Sequence, residues 1–149
     1  MKVLLPIDGS NDADLILDFV SKYHWPDTVK FKVVNVVGPC ETKSLAQQAE
    51  ERAKQVVERV AHRVRMLVCQ APVQTEVRFG SAIYEILDSA SSWRPNMIIM
   101  GYRTRPAIER CLMGSVATGV ALQAPCSVTI IRPKVIESAE SKEKALANR

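Results

Sequence analysis

The sequence predicts an α/β fold built on a five-stranded parallel sheet with helices on both faces. Three observations carry this prediction. Five short apolar runs, at residues 2–7, 31–37, 73–80, 97–101 and 127–132, alternate with four helical patterns. Strand alternating with helix implies parallel strands joined by right-handed crossovers, which place helices over both faces. The fourth run, "MIIMG", is apolar throughout, as a strand covered on both faces is expected to be.

The elements follow in order. "KVLLPI" forms the first strand and ends in the turn residues Asp8-Gly9-Ser10. A helix is expected over 11–23, with Ala13, Ile16, Leu17 and Val20 on one stripe and Asn11 or Asp12 as its cap. "FKVVNVV" is the second strand, broken by Gly38-Pro39. The longest helical pattern spans 44–70, with Leu45, Ala49, Ala53, Val56, Val57, Val60, Val64 and Leu67 recurring mostly every three or four residues. That stripe reads as packing on the protein's own sheet rather than as a coiled-coil seam. "VQTEVRFG" alternates enough to mark an edge-like strand. A helix from Ser81 or Ala82 to about Ser92 follows, stopped by Trp93-Arg94-Pro95. After the fourth strand and a long loop, a helix over 115–122 leads through "APC" to the fifth strand, "SVTIIR".

A chain of 149 residues, 47% hydrophobic and 24% charged, suits one globular domain with a proper core. The domain is placed at 1–133, and the polar segment 134–149 reads as a mobile tail. No apolar run approaches the roughly 20 residues of a membrane span, and the start lacks a secretory pattern. A soluble cytoplasmic protein with no membrane insertion is expected. Cys40, Cys69, Cys111 and Cys126 form no C-x-x-C pair and read as reduced thiols. His24 and His62 stand alone in sequence, which argues against a zinc site. The net charge of +4 is too mild to imply nucleic acid without a concentrated basic face.

In open sheets of this kind, ligands sit at the carboxyl ends of the strands where the strand order reverses. The loops after the first, second and fourth strands are therefore the candidate site. Gly114-Ser115 offers glycine and free amides at a helix start, where a phosphate can bind or Ser115 can simply cap the helix. Gly101 closes the fourth strand. Arg103, Arg105 and Arg110 add positive charge suited to phosphate or to a solvated basic loop. Asp8 stands where a carboxylate could accept from ribose hydroxyls or could cap its own turn. No G-x-x-x-x-G-K-[ST], G-x-G-x-x-G or G-x-S-x-G motif is present, and no catalytic set is legible. Binding is better supported than turnover.

Three segments resemble the universal stress protein family: "LLPIDGS", "VRFGSAIYEILDSA" and "MIIMGYRTRPAIERCLMGSVATGVALQAPCSVTIIRP". The likeness covers about residues 2–132. It implies a Rossmann-like five-stranded domain, a homodimer pairing through the fifth strand (Ser127 to Arg132), a role in stress response, and binding of ATP or AMP with at most slow hydrolysis. Nucleotide-binding members carry G-2x-G-9x-G-[S/T] after the fourth strand. Gly101, Gly114 and Ser115 match that pattern, whereas Thr104 stands in place of the middle glycine. Threonine fits a positive φ poorly and takes up room, and Pro106 removes a further amide donor. By position the resemblance also assigns Pro6 and Asp8 to the ribose side, Val36 to the backbone that meets adenine, Arg103 to the phosphate loop, and Val116 to phosphate. It leaves open a divalent metal accompanying the nucleotide, and a cyclic dinucleotide as the ligand. A second reading stays beside it: a member that binds no nucleotide and works as a protein-interaction module, its arginine loop facing an acidic partner.

Overall fold

The computed structural model describes residues 1–10, 12–102 and 114–132. The elements run β1 (Lys2–Pro6), α1 (Asp12–Lys22), β2 (Lys30–Val37), α2 (Lys43–Leu67), β3 (Val73–Phe79), α3 (Ala82–Trp93), β4 (Met97–Gly101), α4 (Ser115–Gln123) and β5 (Ser127–Ile131). The strands form one sheet in the order β3-β2-β1-β4-β5, and every pairing is parallel. The α/β architecture expected from the sequence is the observed one.

Two apolar layers hold the sheet. On one face Ile16, Leu17 and Val20 of α1 and Val57, Val60 and Val64 of α2 pack on Val3, Leu5 and Val33. On the other, Ile86 and Ala90 of α3 and Ala117 and Val120 of α4 pack on Leu4, Val34, Ile98 and Met100. The central strands therefore alternate between two cores rather than between core and water, which explains their continuous apolar runs. Val3, Leu4, Leu5, Ile98 and Ile99 are wholly buried.

The stripe predicted for the second helix is longer than its buried part. Ala53, Val57, Val60, Ala61 and Val64 are buried, but Leu45 is 50% and Leu67 44% exposed. The reason is length. The 25 residues of α2 span about 37 Å at a rise of ~1.5 Å, while the eight of β2 span about 26 Å at ~3.3 Å. The helix is longer than the sheet beneath it, so the outer leucines are only partly covered.

β3 is an edge strand, as its alternation predicts. Val73 and Val77 face the α2 layer, while Glu76 and Arg78 face α3 through ions. Arg78 bonds Glu76 (Nε–Oε1 2.8 Å), Glu85 (Nη1–Oε2 3.1 Å) and Asp88 (Nη1–Oδ2 2.5 Å). Glu76 also accepts from Lys32 Nζ at 3.2 Å and from Ser89 Oγ at 2.9 Å. Burial pushes the Glu76 carboxyl up, but the hydrogen bonds from Arg78, Ser89 and Lys32 outweigh it and hold the group below its ordinary value. Partial burial opposes the charge on Arg78 as well, and bonds to Asp88 and Glu76 overcome it.

One cap assignment differs from the sequence reading, and a second falls partly outside the described residues. Asp12 is the first helical residue of α1; its N–H donates to Ser10 Oγ (3.4 Å), and Ala13 N–H donates to Ser10 C=O. Asn11 lies outside the described residues, as does the predicted tail 134–149. For α4 the cap position is Gly114, with φ −52° and ψ 144°, and Ser115 is the first helical residue. Cys40, Cys69 and Cys126 are free thiols, and burial raises the Cys126 pKa. No helix among the described residues is long and apolar enough to cross a membrane.

Candidate functional site at the strand-order reversal

The strand order reverses between β1 and β4. The chain leaves β1 toward β2 and leaves β4 toward β5, so the crossovers diverge and open a crevice at the carboxyl edge. Helix α4 ends just before β5 begins, so it runs against the strands and its amino terminus lies at that same edge. This topology brings together the loop after β1, the end of β4 and the start of α4.

The β1 side is a tight turn. Pro6 is buried at the end of the strand, and Asp8 is exposed beyond it. Asp8 Oδ1 accepts from the Ser10 N–H at 2.9 Å, so the carboxylate does close its own turn. Gly9 takes φ +83°, and a Cβ there would touch Val56 of α2. Glycine is required at this position by conformation.

Gly101 is required for a different reason. Its φ is not positive; the positive-φ glycines among the described residues are Gly9 and Gly80. A Cβ on Gly101 would stand 2.5 Å from Asp12 Cβ and 2.6 Å from Asp12 Oδ2. The amino terminus of α1 therefore crosses directly over the end of β4, and only a hydrogen fits between. Sequence reasoning assigned Asp12 to capping alone. Its contact with Gly101 joins residues 89 positions apart, and no local pattern signals it.

Tyr102 is buried, and its N–H donates to Ile131 C=O at 2.8 Å. The Arg132 guanidinium lies 4.5 Å from the centre of the Tyr102 ring. These contacts anchor the start of the loop that follows β4. Neither residue was singled out from the sequence, where Tyr102 reads as the first residue of a polar loop. Arg103 and Thr104, with Pro106, lie outside the described residues.

Gly114 C=O accepts from Thr118 N–H at 2.9 Å and from Thr118 Oγ1 at 3.1 Å, which fixes the first turn of α4. The amides of Ser115, Val116 and Ala117 have no intrahelical acceptor at this end. The first turn carries no acidic residue, so the positive end of the helix dipole is not neutralised from within. The Ser115 hydroxyl is exposed, and Val116 packs its side chain into the α3–α4 layer while leaving its amide at the helix start.

Val36 completes the set on the far side. Ile7 N–H donates to Val34 C=O at 2.8 Å, so even-numbered residues of β2 turn their backbone groups toward β1. Val37 C=O, facing the other way, accepts from Gly80 N–H at 2.9 Å. Alternation therefore directs the backbone of Val36 toward the β1 side, above the point where β1 ends. Asn35 Nδ2 donates to Ile7 C=O at 2.7 Å and holds that end in place. Among the described residues, no group of three or more His, Cys, Asp or Glu is arranged to hold a metal ion.

Comparisons with known proteins agree with this geometry. Residues 1–132 match the family model described as the universal stress protein family. A universal stress protein of Staphylococcus aureus strain USA300 is 26% identical over 137 residues, covering 87% of this chain and 82% of its own length. The universal stress protein of Archaeoglobus fulgidus in complex with dAMP superposes with a TM-score of 0.69 at 22% identity, covering 88% of this chain and 97% of that one. An Arabidopsis thaliana family member with AMP bound gives 0.69 at 13% identity, covering 96% and 98%. At these identities the solved structures establish the shared fold. With the parallel sheet, the crevice at its reversal and the glycine-capped fourth helix in view, the chain belongs to the universal stress protein family.

Proposed function

We propose that this protein binds an adenine nucleotide, AMP or ATP, in the crevice between β1 and β4 and acts as a dimeric sensor or regulator in stress response. The observation that carries the reading is the start of α4: a glycine-capped helix with free amides at Ser115 and Val116, no acidic residue in its first turn, and a place at the strand-order reversal. Such an end accepts a phosphate through backbone donors and the helix dipole together. Asp8 would accept from ribose hydroxyls beside Pro6, and the Val36 backbone would meet the adenine edge. Gly101, Arg103 and Thr104 would border the phosphates. The nucleotide complexes of the Archaeoglobus and Arabidopsis relatives support the same reading.

Dimerisation is proposed through β5, which closes one side of the sheet with β4 as its neighbour. Its partly buried Val128 and Ile130 leave apolar surface along that edge. Light scattering would give twice the 16.5 kDa of the chain.

One observation favours the second reading, a protein-interaction module without nucleotide. The Asp12 side chain crowds the Gly101 backbone, at the start of the proposed phosphate segment, and leaves little room for a phosphate to approach it. Calorimetric titration with AMP, ATP and a cyclic dinucleotide separates the two. Saturable binding that strengthens in Thr104→Gly supports the nucleotide reading, and no heat at millimolar ligand supports the interaction module.

A further inference from the structure

We propose a second anion site at the opposite, amino-terminal edge of the sheet, built around Trp93 and taking a small oxoanion. A cleft of about 200 Å³ opens there, lined by Lys2, Lys30, Phe31, Pro72, Gln74 and Trp93. The first residues of β1 and β2 stand side by side, in the register Lys2↔Lys30, so two lysines share one rim. Lys32, one pleat further along β2, adds a third ammonium.

The arrangement concentrates positive charge around one ring. Lys2 Nζ lies 5.4 Å and Lys32 Nζ 5.2 Å from the centre of the Trp93 indole. An aromatic face attracts a cation and keeps it near the cleft. Helix α3 fixes the ring, because Trp93 is its last residue and Arg94 turns the chain away in the left-handed conformation at φ 53°. Lys2 Nζ donates to Trp93 C=O at 3.0 Å, which takes one of its three protons. Lys30 is exposed at the rim.

The available negative charge does not balance this group. Among the described residues Glu76 is the carboxylate bonded to Lys32, and Arg78 and Ser89 share it. An anion entering beside Lys2 and Lys30 would relieve repulsion between ammoniums, and the Gln74 amide could donate to it as well. The volume sets the ligand class. Sites for drug-sized molecules run to roughly 300–1,000 Å³, so this cleft suits phosphate or a short carboxylate rather than a nucleotide.

The test is a titration of the full chain by nitrogen–proton NMR, with inorganic phosphate and with malonate, at constant ionic strength against chloride. Saturable shifts of the Trp93 indole and the Gln74 side-chain amide are expected with at least one of the two anions. The more potent anion identifies phosphate or carboxylate as the preferred group. Lys30→Gln, a change at an exposed position, is expected to weaken that binding about fivefold. Shifts that chloride reproduces, or shifts confined to the Ser115 and Val116 amides, would overturn the proposal. So would a Lys30→Gln variant that binds as tightly as the parent chain.

Discussion

The two anion sites proposed for the ends of the sheet would work by different means. At the carboxyl end the positive potential comes from backbone: the free amides of α4, set by Gly114 and flanked by the carboxylates of Asp8 and Asp12. At the amino end it comes from side chains: Lys2 and Lys30 on the cleft, with Lys32 against Trp93. Backbone donors are fixed by the fold and hold a phosphate at a defined point. Lysine stems move, are screened by salt and select less by shape. The first end is therefore suited to a shaped ligand read at several points, the second to a compact charge.

Breaking the packing that supports the sheet tests this contrast, and the largest effect is expected where ions hold α3 to β3, with Arg78 in register with Val36. Arg78→Ala leaves Glu76, Glu85 and Asp88 without their shared cation in a site where Arg78 is 18% exposed. A loss of about 3 kcal/mol in urea unfolding is expected, the low end for a broken buried pair because the cluster is partly solvated. At the carboxyl end, Gly101→Ala forces a Cβ against Asp12, and a loss of about 2 kcal/mol is expected in the same assay. Pairing it with Asp12→Gly should recover part of that loss, since the clash is with the Asp12 side chain itself.

A smaller effect should appear in binding. Asp8→Ala removes the proposed ribose acceptor and the bond to Ser10 N–H, and calorimetry should show AMP affinity falling about tenfold. The smallest is a pH dependence in the middle of β3, where Glu76 registers with Val34. Because the folded Glu76 pKa is depressed, its contribution to stability is present above the unfolded carboxylate value and is lost as pH falls through the folded value. Acid denaturation curves of Glu76→Gln should be flatter in that window than those of the parent chain.

What the sequence disclosed follows from the range of the interactions. The five strands and four helices were legible because each carries its own period, and "MIIMG" showed double burial directly. The exposure of the ends of α2 was not, because Leu45 and Leu67 keep the helical period while lying half exposed on a helix longer than the sheet. The glycines of the site were found by their spacing, but the cause at Gly101 lies in Asp12, which only the packing of α1 across β4 brings close. The assignment of Ser115 as a cap gave way to Gly114 because the helix begins one residue earlier than a serine cap would require. The amino-end lysines carried no motif. They come together only through the register of β1 with β2 and the end of α3.

The most direct test of nucleotide binding at the strand-order reversal is an amide NMR titration of the purified protein with AMP. Saturable shifts at Val36, Ser115 and Val116, reduced in Asp8→Ala, are the predicted result. An unchanged spectrum at those amides in millimolar AMP would contradict it.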